Sequence, residues 1–286
     1  MRINEIVNFC DNEFQKRRCE GCDKSCNHDC NKCLYDLHYH KKEIRDNYEC
    51  EHLLDYYVCK YSYKYCSEII YALRSIDLSR YNKFNIVSFG CGAAPDLMAF
   101  DCLNSDLLVR KEIIYQGIDN NTYLEKIHNK MINVFSNYDI SFIRDCDAIT
   151  FLDNHEINDC NVIIIEYLIS FIYDGDRKFV VYNWFKEIVE KIVSNKMPDT
   201  PMLIIINDAD SCYTGRDTFD MLIQYIEDAG FTISTNIKKA FKKDHHYDGA
   251  EVYERQRNIF SVPENIKNNY KAALNCSSVQ LIIEVE

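Results

Sequence analysis

Proline and glycine are scarce in this chain, at 4 and 8 of 286 residues. With 47% hydrophobic and 13% aromatic residues, that scarcity excludes a disordered or low-complexity polypeptide. There is no internal repeat and no Gly/Ser/Pro-rich linker. Long apolar runs are missing too: none approaches the ~20 residues of a membrane-spanning helix. The first residues, MRINEIVNFCDNEFQ, carry charges where a signal peptide would place its apolar segment. The expectation is a cytoplasmic protein with no membrane partner, built as one large domain or one domain with a smaller appendage. Positive charge is also in short supply, since the net charge is −12. Residues 1–80 hold 13 Lys+Arg against 14 Asp+Glu, whereas residues 81–286 hold 20 against 31. So acidic a C-terminal region repels a nucleic-acid backbone unless its basic residues are segregated on one face.

Cysteine, by contrast, is abundant, with 15 residues. Nine of them (10, 19, 22, 26, 30, 33, 50, 59 and 66) fall in the first 66 positions, marking an N-terminal module. In a reducing compartment these are thiols or metal ligands rather than bridges. The stretch CEGCDKSCNHDCNKC, residues 19–33, offers Cys19, Cys22, Cys26, Cys30 and Cys33. Its two arms with two-residue gaps have the spacing of a tetrahedral thiolate site. The residues between are polar and supply no core, so the segment needs its ion to fold. Zinc is the favoured ion and an iron–sulfur cluster the alternative, because softness and spacing suit both.

A helical pattern follows from about 43 to 77, with Leu53, Leu54, Tyr57, Val58, Tyr61, Tyr65, Ile69 and Leu73 recurring at helical spacing. Its aromatic stripe predicts packing on the next domain. From residue 81 the period changes. Apolar runs at 84–90, 112–119, 140–146, 161–168, 202–208, 231–237 and 279–286 alternate mostly with helix-length stretches. They predict seven strands buried on both faces, in a mostly parallel, doubly wound α/β sheet. The chain thus divides into a Cys-rich helical module, 1–80, and an α/β domain, 81–286.

In such sheets ligands bind at the carboxyl ends of the strands beside the switch point. The first strand leads into FGCGAAPDL. Gly90 there permits a tight turn, and Gly92 lets backbone approach a ligand. Pro95 opens a helix, with Asp96 next to it. The second strand ends in GIDNN, presenting Asp119 and Asn120 where an acid can accept ribose hydroxyls. The third ends in DCDAITFL, with Asp145, Asp147 and Ala148 at the same edge. The fourth ends in EYLIS, with Glu166 and Tyr167. A dinucleotide site would need Gly or Ala where Pro95 stands.

On these four stretches the sequence resembles the class I S-adenosylmethionine-dependent methyltransferases over about residues 81–286. The resemblance implies a Rossmann-like fold. It also implies a glycine loop (Gly90, Cys91, Gly92) around the methionine part of the cofactor, Asp119 on the ribose, and Asp147 with Ala148 at the adenine. Ser88 stands where the family has an acid, and Ala94 where it has a third glycine. Asp96 or Glu166 is then left to meet the cofactor's ammonium. Glu166 and Tyr167 are the candidate catalytic pair, one to align the acceptor and one to take its proton. Asp208, Asp210, His245 and His246 are further candidates for the pocket wall. The expected activity is methyl transfer from S-adenosylmethionine to RNA or protein rather than to a small molecule, with the metal module helping to recognise the substrate. The competing expectation is a non-catalytic binding scaffold, suggested by the missing acid at Ser88.

Overall fold

The computed structural model of the chain describes residues 1–17, 19, 28–39, 49–157, 159–173, 177–196 and 200–286. Its strands, in chain order, are β1 (Lys83–Phe89), β2 (Glu112–Asp119), β3 (Asp139–Arg144), β4 (Val162–Glu166), β5 (Met202–Ala209), β6 (Ile233–Ala240), β7 (Glu251–Val252) and β8 (Ser278–Val285). They form one sheet in the order β3-β2-β1-β4-β5-β8-β6-β7. The pairs from β3 to β5 are parallel, and β8 runs antiparallel between β5 and β6. Among the described residues the sheet therefore has eight strands, not seven. The addition, β7, pairs with the end of β6 over two residues, too short a run to show any alternation in sequence.

Two predicted strands end early for a local reason. Asp145 and Tyr167 take left-handed backbone, with φ of 66° and 52°, conformations that no strand continues through. Side chains alternate across the sheet, so two cores form. Phe84, Ile86, Tyr115, Ile164 and Ile205 face one, and Val87, Phe89, Ile163, Ile165, Ile204 and Ile206 face the other.

The first core is covered by the N-terminal helices α1 (Arg2–Lys16), α2 (Cys30–Tyr39) and α3 (Glu51–Leu73), together with α4 (Pro95–Asp106), α5 (Glu125–Val134) and α10 (Glu264–Tyr270). The second is covered by α6 (Ala148–Asn154), α7 (Ile169–Ile172), α8 (Lys178–Lys191) and α9 (Phe219–Asp228). Helix α3 begins at Glu51, later than the periodicity predicts, and residues 40–48 lie outside the described set. It is buried on nearly all sides, including Ser62, Lys64, Ser67 and Glu68. Residues 1–80 thus reach the site through α3.

Candidate active site

At the switch point β1 lies between β2 and β4, and the loop that leaves it is held by backbone. The Gly90 amide donates to Ile118 O at 2.8 Å and the Cys91 amide to the same oxygen at 3.2 Å. Gly90 has φ +67°, which favours glycine, and a Cβ there would press on Leu168 Cβ at 3.1 Å. Gly92, with φ +51°, is gripped from two sides. Its amide donates to Asp119 Oδ2 at 2.9 Å, and its carbonyl accepts from His128 Nε2 at 2.7 Å. Asp119 Oδ1 accepts from the Asn121 amide at 2.9 Å. Nothing lies within 4 Å of where a Gly92 Cβ would point, so the loop opens onto free space.

His128, on α5, holds the glycine loop, and the sequence reading misses it. Its ring is fully buried and stacks on Phe142 at 3.9 Å. Burial pushes its pKa down to about 4. The ring is therefore neutral at ordinary pH, and its bond to a carbonyl fixes the proton on Nε2. The only clue in the sequence is a lone histidine among the apolar positions Ile127 and Met131.

A cavity of about 350 Å³ opens above this loop. Of the predicted site residues, Gly90, Gly92, Asp119, Asn120, Asp147, Ala148, Glu166 and Tyr167 line it. Ser88, Cys91, Ala94 and Asp96 do not; all four are buried. The single Tyr115 hydroxyl proton is shared between the two Asp96 oxygens, at 3.0 and 3.2 Å, and burial raises the Asp96 pKa to about 6. Ser88 Oγ is enclosed without a well-formed hydrogen bond. Cys91 Sγ packs so close to Gly117 that a Cβ there would lie 2.7 Å from it, and burial pushes its thiol well up. Ala94, left-handed at φ 50°, caps α4. Asp147 has its Oδ1 engaged by the Ile149 amide at 2.7 Å as the cap of α6.

The far wall comes from α3 and from the turn after β4. Tyr167, strained into left-handed backbone, projects its hydroxyl between two α3 side chains. Lys64 Nζ donates to it at 2.5 Å, and it donates to Glu68 Oε2 at 2.9 Å. Glu68 is completely buried. It also accepts from Asn207 Nδ2 at 3.2 Å and from the Ser277 and Ser278 amides at 2.8 and 3.3 Å, and it pairs with Lys64 at 3.5 Å. Asn207 Nδ2 donates to Glu166 Oε1 at 3.1 Å and is itself held by Ser278 and Gln280. Burial, followed by Asp96 and Glu68, raises the Glu166 carboxyl well above the ordinary range. Burial and Glu68 do the same to the Tyr167 phenol. The sequence reading misses Lys64, Glu68 and Asn207. The signal for the first two is a Lys–Glu pair at i,i+4 spacing inside an aromatic helix, and for Asn207 only its place at the end of an apolar strand run.

The remaining candidates lie elsewhere. Asp208 accepts from the Ser170 and Ala209 amides at 3.1 and 2.6 Å, which anchors α7 from behind. Asp210 pairs with Arg216 at 3.0 Å. His245 and His246 lie in the loop between β6 and β7, at the opposite end of the sheet from β3, and neither lines the cavity. Cys22 and Cys26 fall outside the described residues. Cys30 and Cys33 turn into the apolar core under α2, and the Cys19 carbonyl lies 3.2 Å from His28 Nδ1. Among the described residues, no group of three or more His, Cys, Asp or Glu side chains is arranged to hold a metal ion. Also among the described residues, no helix is long and apolar enough to cross a membrane.

No family model and no curated protein matches the chain. Solved structures do. It is similar to the precorrin-6y C5,15-methyltransferase of Geobacter metallireducens, with 12% identity over 77% of this chain and 86% of that one, at a TM-score of 0.41. A SAM-dependent methyltransferase of Aquifex aeolicus is 9% identical over 80% and 96%, at a TM-score of 0.44. The plantazolicin methyltransferase BpumL in complex with SAH is 13% identical over 99% and 98%, at a TM-score of 0.43. Likenesses this distant transfer no chemistry, and the reading below rests on the chain's own sheet and cavity.

Proposed function

We propose that the protein is an S-adenosylmethionine-dependent methyltransferase. The observation that carries this reading is convergence on one cavity of Gly90 and Gly92, the Asp119 carboxylate, and Asp147 with Ala148, from the ends of three successive strands. The sheet around them has the order β3-β2-β1-β4-β5-β8-β6 with β8 antiparallel, which agrees with the class I resemblance of the sequence. The donor set fits the cofactor. The glycine loop gives its methionine part room without a Cβ, and both Asp119 oxygens keep a free lone pair for ribose hydroxyls. Asp147 and Ala148 form the adenine edge.

When bound, the cofactor supplies an electrophilic methyl group on a sulfonium. The chain's own contribution is placement and proton handling. His128 and Asp119 fix Gly92 so that the loop is set before the ligand arrives. Glu166, its carboxyl raised by burial, faces the cavity where it can exchange a proton with the acceptor, and Asn207 holds its other face. With Asp96 committed to Tyr115 behind the loop, Glu166 is also the lining carboxyl left to meet the cofactor's ammonium, whose charge opposes the effect of burial on it. Calorimetry with S-adenosylmethionine tests the reading: one binding event is expected, and no heat removes it.

For residues 19–33 the proposal is a metal-folded segment, zinc or an iron–sulfur cluster, on Cys19, Cys22, Cys26, Cys30 and Cys33. It is supported by their spacing alone. Metal analysis with a visible spectrum of anaerobically purified protein tests it. One equivalent of zinc with no colour, or iron with a brown chromophore, is expected, and metal-free folded protein contradicts it. The division at residue 80, a cytoplasmic setting, and a part for the module in presenting the acceptor belong to the same proposal.

A further inference from the structure

The cavity has two halves of different chemistry. One is the polar, strand-end half just described. The other is walled by Leu54, Tyr57 and Val58 of α3, by Phe171 and Ile172 of α7, and by Tyr123 at the rim. Tyr123 and Phe171 are each 43% exposed. Tyr57 is set by its hydroxyl, which donates to Tyr65 at 3.2 Å, and by its ring contact with Tyr61 at 5.1 Å.

Charge in the cavity is of one sign. Among the described lining residues the carboxyl groups are those of Glu49, Asp119, Asp147 and Glu166, and no Lys, Arg or His lines it. The nearby cations are engaged elsewhere. Lys64 is behind Tyr167 in its bonds to Tyr167 and Glu68, Lys126 and Arg17 both pair with Glu51, and Arg144 pairs with Glu125. A phosphate or carboxylate entering here meets repulsion, with no counter-charge among the described lining residues. An ammonium meets the opposite field, and aromatic faces add cation–π attraction. A flat apolar ring meets walls that gain by covering Tyr57 and Phe171.

We infer that the second half of the cavity takes a small ring-bearing amine as the methyl acceptor, its ring between α3 and α7 and its cationic end toward Glu49, in the field of the carboxyl groups that face the cofactor, rather than a phosphate-bearing polymer. This inference rests on the methyltransferase reading, because that reading gives the first half to the cofactor.

The test uses the full chain saturated with S-adenosylhomocysteine, whose own binding is measured first. Three probes share a ring and differ in charge: tryptamine, indole and indole-3-acetate. Tryptamine is expected to bind at least about tenfold more tightly than indole-3-acetate, with indole between them. Phe171→Ala, at an exposed position whose loss spares the core, is expected to weaken tryptamine about three- to tenfold. It should leave S-adenosylhomocysteine binding unchanged. Equal binding of the two charged probes, no binding of any probe, unchanged tryptamine affinity in F171A, or displacement of tryptamine by a single-stranded RNA oligonucleotide each overturns the inference. All four leave the cofactor reading standing. Absence of S-adenosylhomocysteine binding removes both.

Discussion

The two sides of the cavity are built by different means. On the glycine side, the bonds that set the site are short-range in sequence: Gly92 to Asp119 spans 27 residues and Gly92 to His128 spans 36. They are made largely by backbone. On the α3 side, Tyr167 reaches Glu68 across 99 residues and Lys64 across 103, and Glu68 reaches Ser277 across 209. These bonds are made by buried side chains. A backbone-held loop depends on a few conformational positions, and a side-chain network depends on every partner being present. The first should therefore fail locally when cut, and the second globally.

The largest expected effect is at Glu68. Glu68→Ala strands the Lys64 ammonium and leaves the Ser277 and Ser278 amides without an acceptor. Loss of about 3–5 kcal/mol of stability is expected in urea unfolding. A loss under about 1 kcal/mol would mean that the network does not anchor α3. Next is His128. Its pKa is lowered from 6.5 to about 4, so as pH falls the unfolded chain takes up this proton before the folded chain does. Its contribution is complete above pH 6.5 and is lost as pH falls toward 4, a change of about 3 kcal/mol. Asp96 and Asp208, raised from 3.8 to about 6, work in the opposite sense, losing stability as pH rises through that range. The prediction is therefore a difference: His128→Phe, which keeps the stack on Phe142, should flatten the acid limb of the stability profile relative to wild type. Identical limbs would show that the buried imidazole does not titrate as described.

On the glycine side the effects fall on binding. Asp119→Ala should weaken cofactor binding about 10- to 100-fold, through lost ribose contacts and a loosened Gly92. The unfolding midpoint should move less than in the Glu68 variant. The smallest effect is expected from Tyr167→Phe, which removes the hydroxyl between Lys64 and Glu68 but keeps the ring. A stability loss of about 1–3 kcal/mol is expected, with cofactor affinity nearly unchanged. If binding falls more than stability, the two sides are not separable as drawn.

What the sequence reveals follows the same division. The strand cores of β1, β2, β4, β5 and β8 are legible because continuous β-branched runs have one simple explanation, and the cofactor edge is legible because glycines and acids stand at their ends. The exact ends of β3 and β4 are not, since left-handed backbone at Asp145 and Tyr167 is set by tertiary contacts. Ser88, Asp96 and Cys91 lie in the right stretch of chain, yet side-chain direction along β1 and α4 turns them behind the loop. His128, Lys64, Glu68 and Asn207 read as ordinary helix or strand residues, and their function exists only once distant segments meet. Lys64 and Glu68 lie in a helix whose pattern predicts packing, and the packing is there. That this helix also walls the site follows only from where it packs.

The account stands on the first half of the cavity holding S-adenosylmethionine against Asp119. Calorimetry with S-adenosylmethionine on the wild-type chain and on Asp119→Ala tests it most directly. The account predicts one binding event in the wild type, weakened at least about tenfold in the variant. No heat in the wild type, or equal affinity in the two proteins, would contradict it.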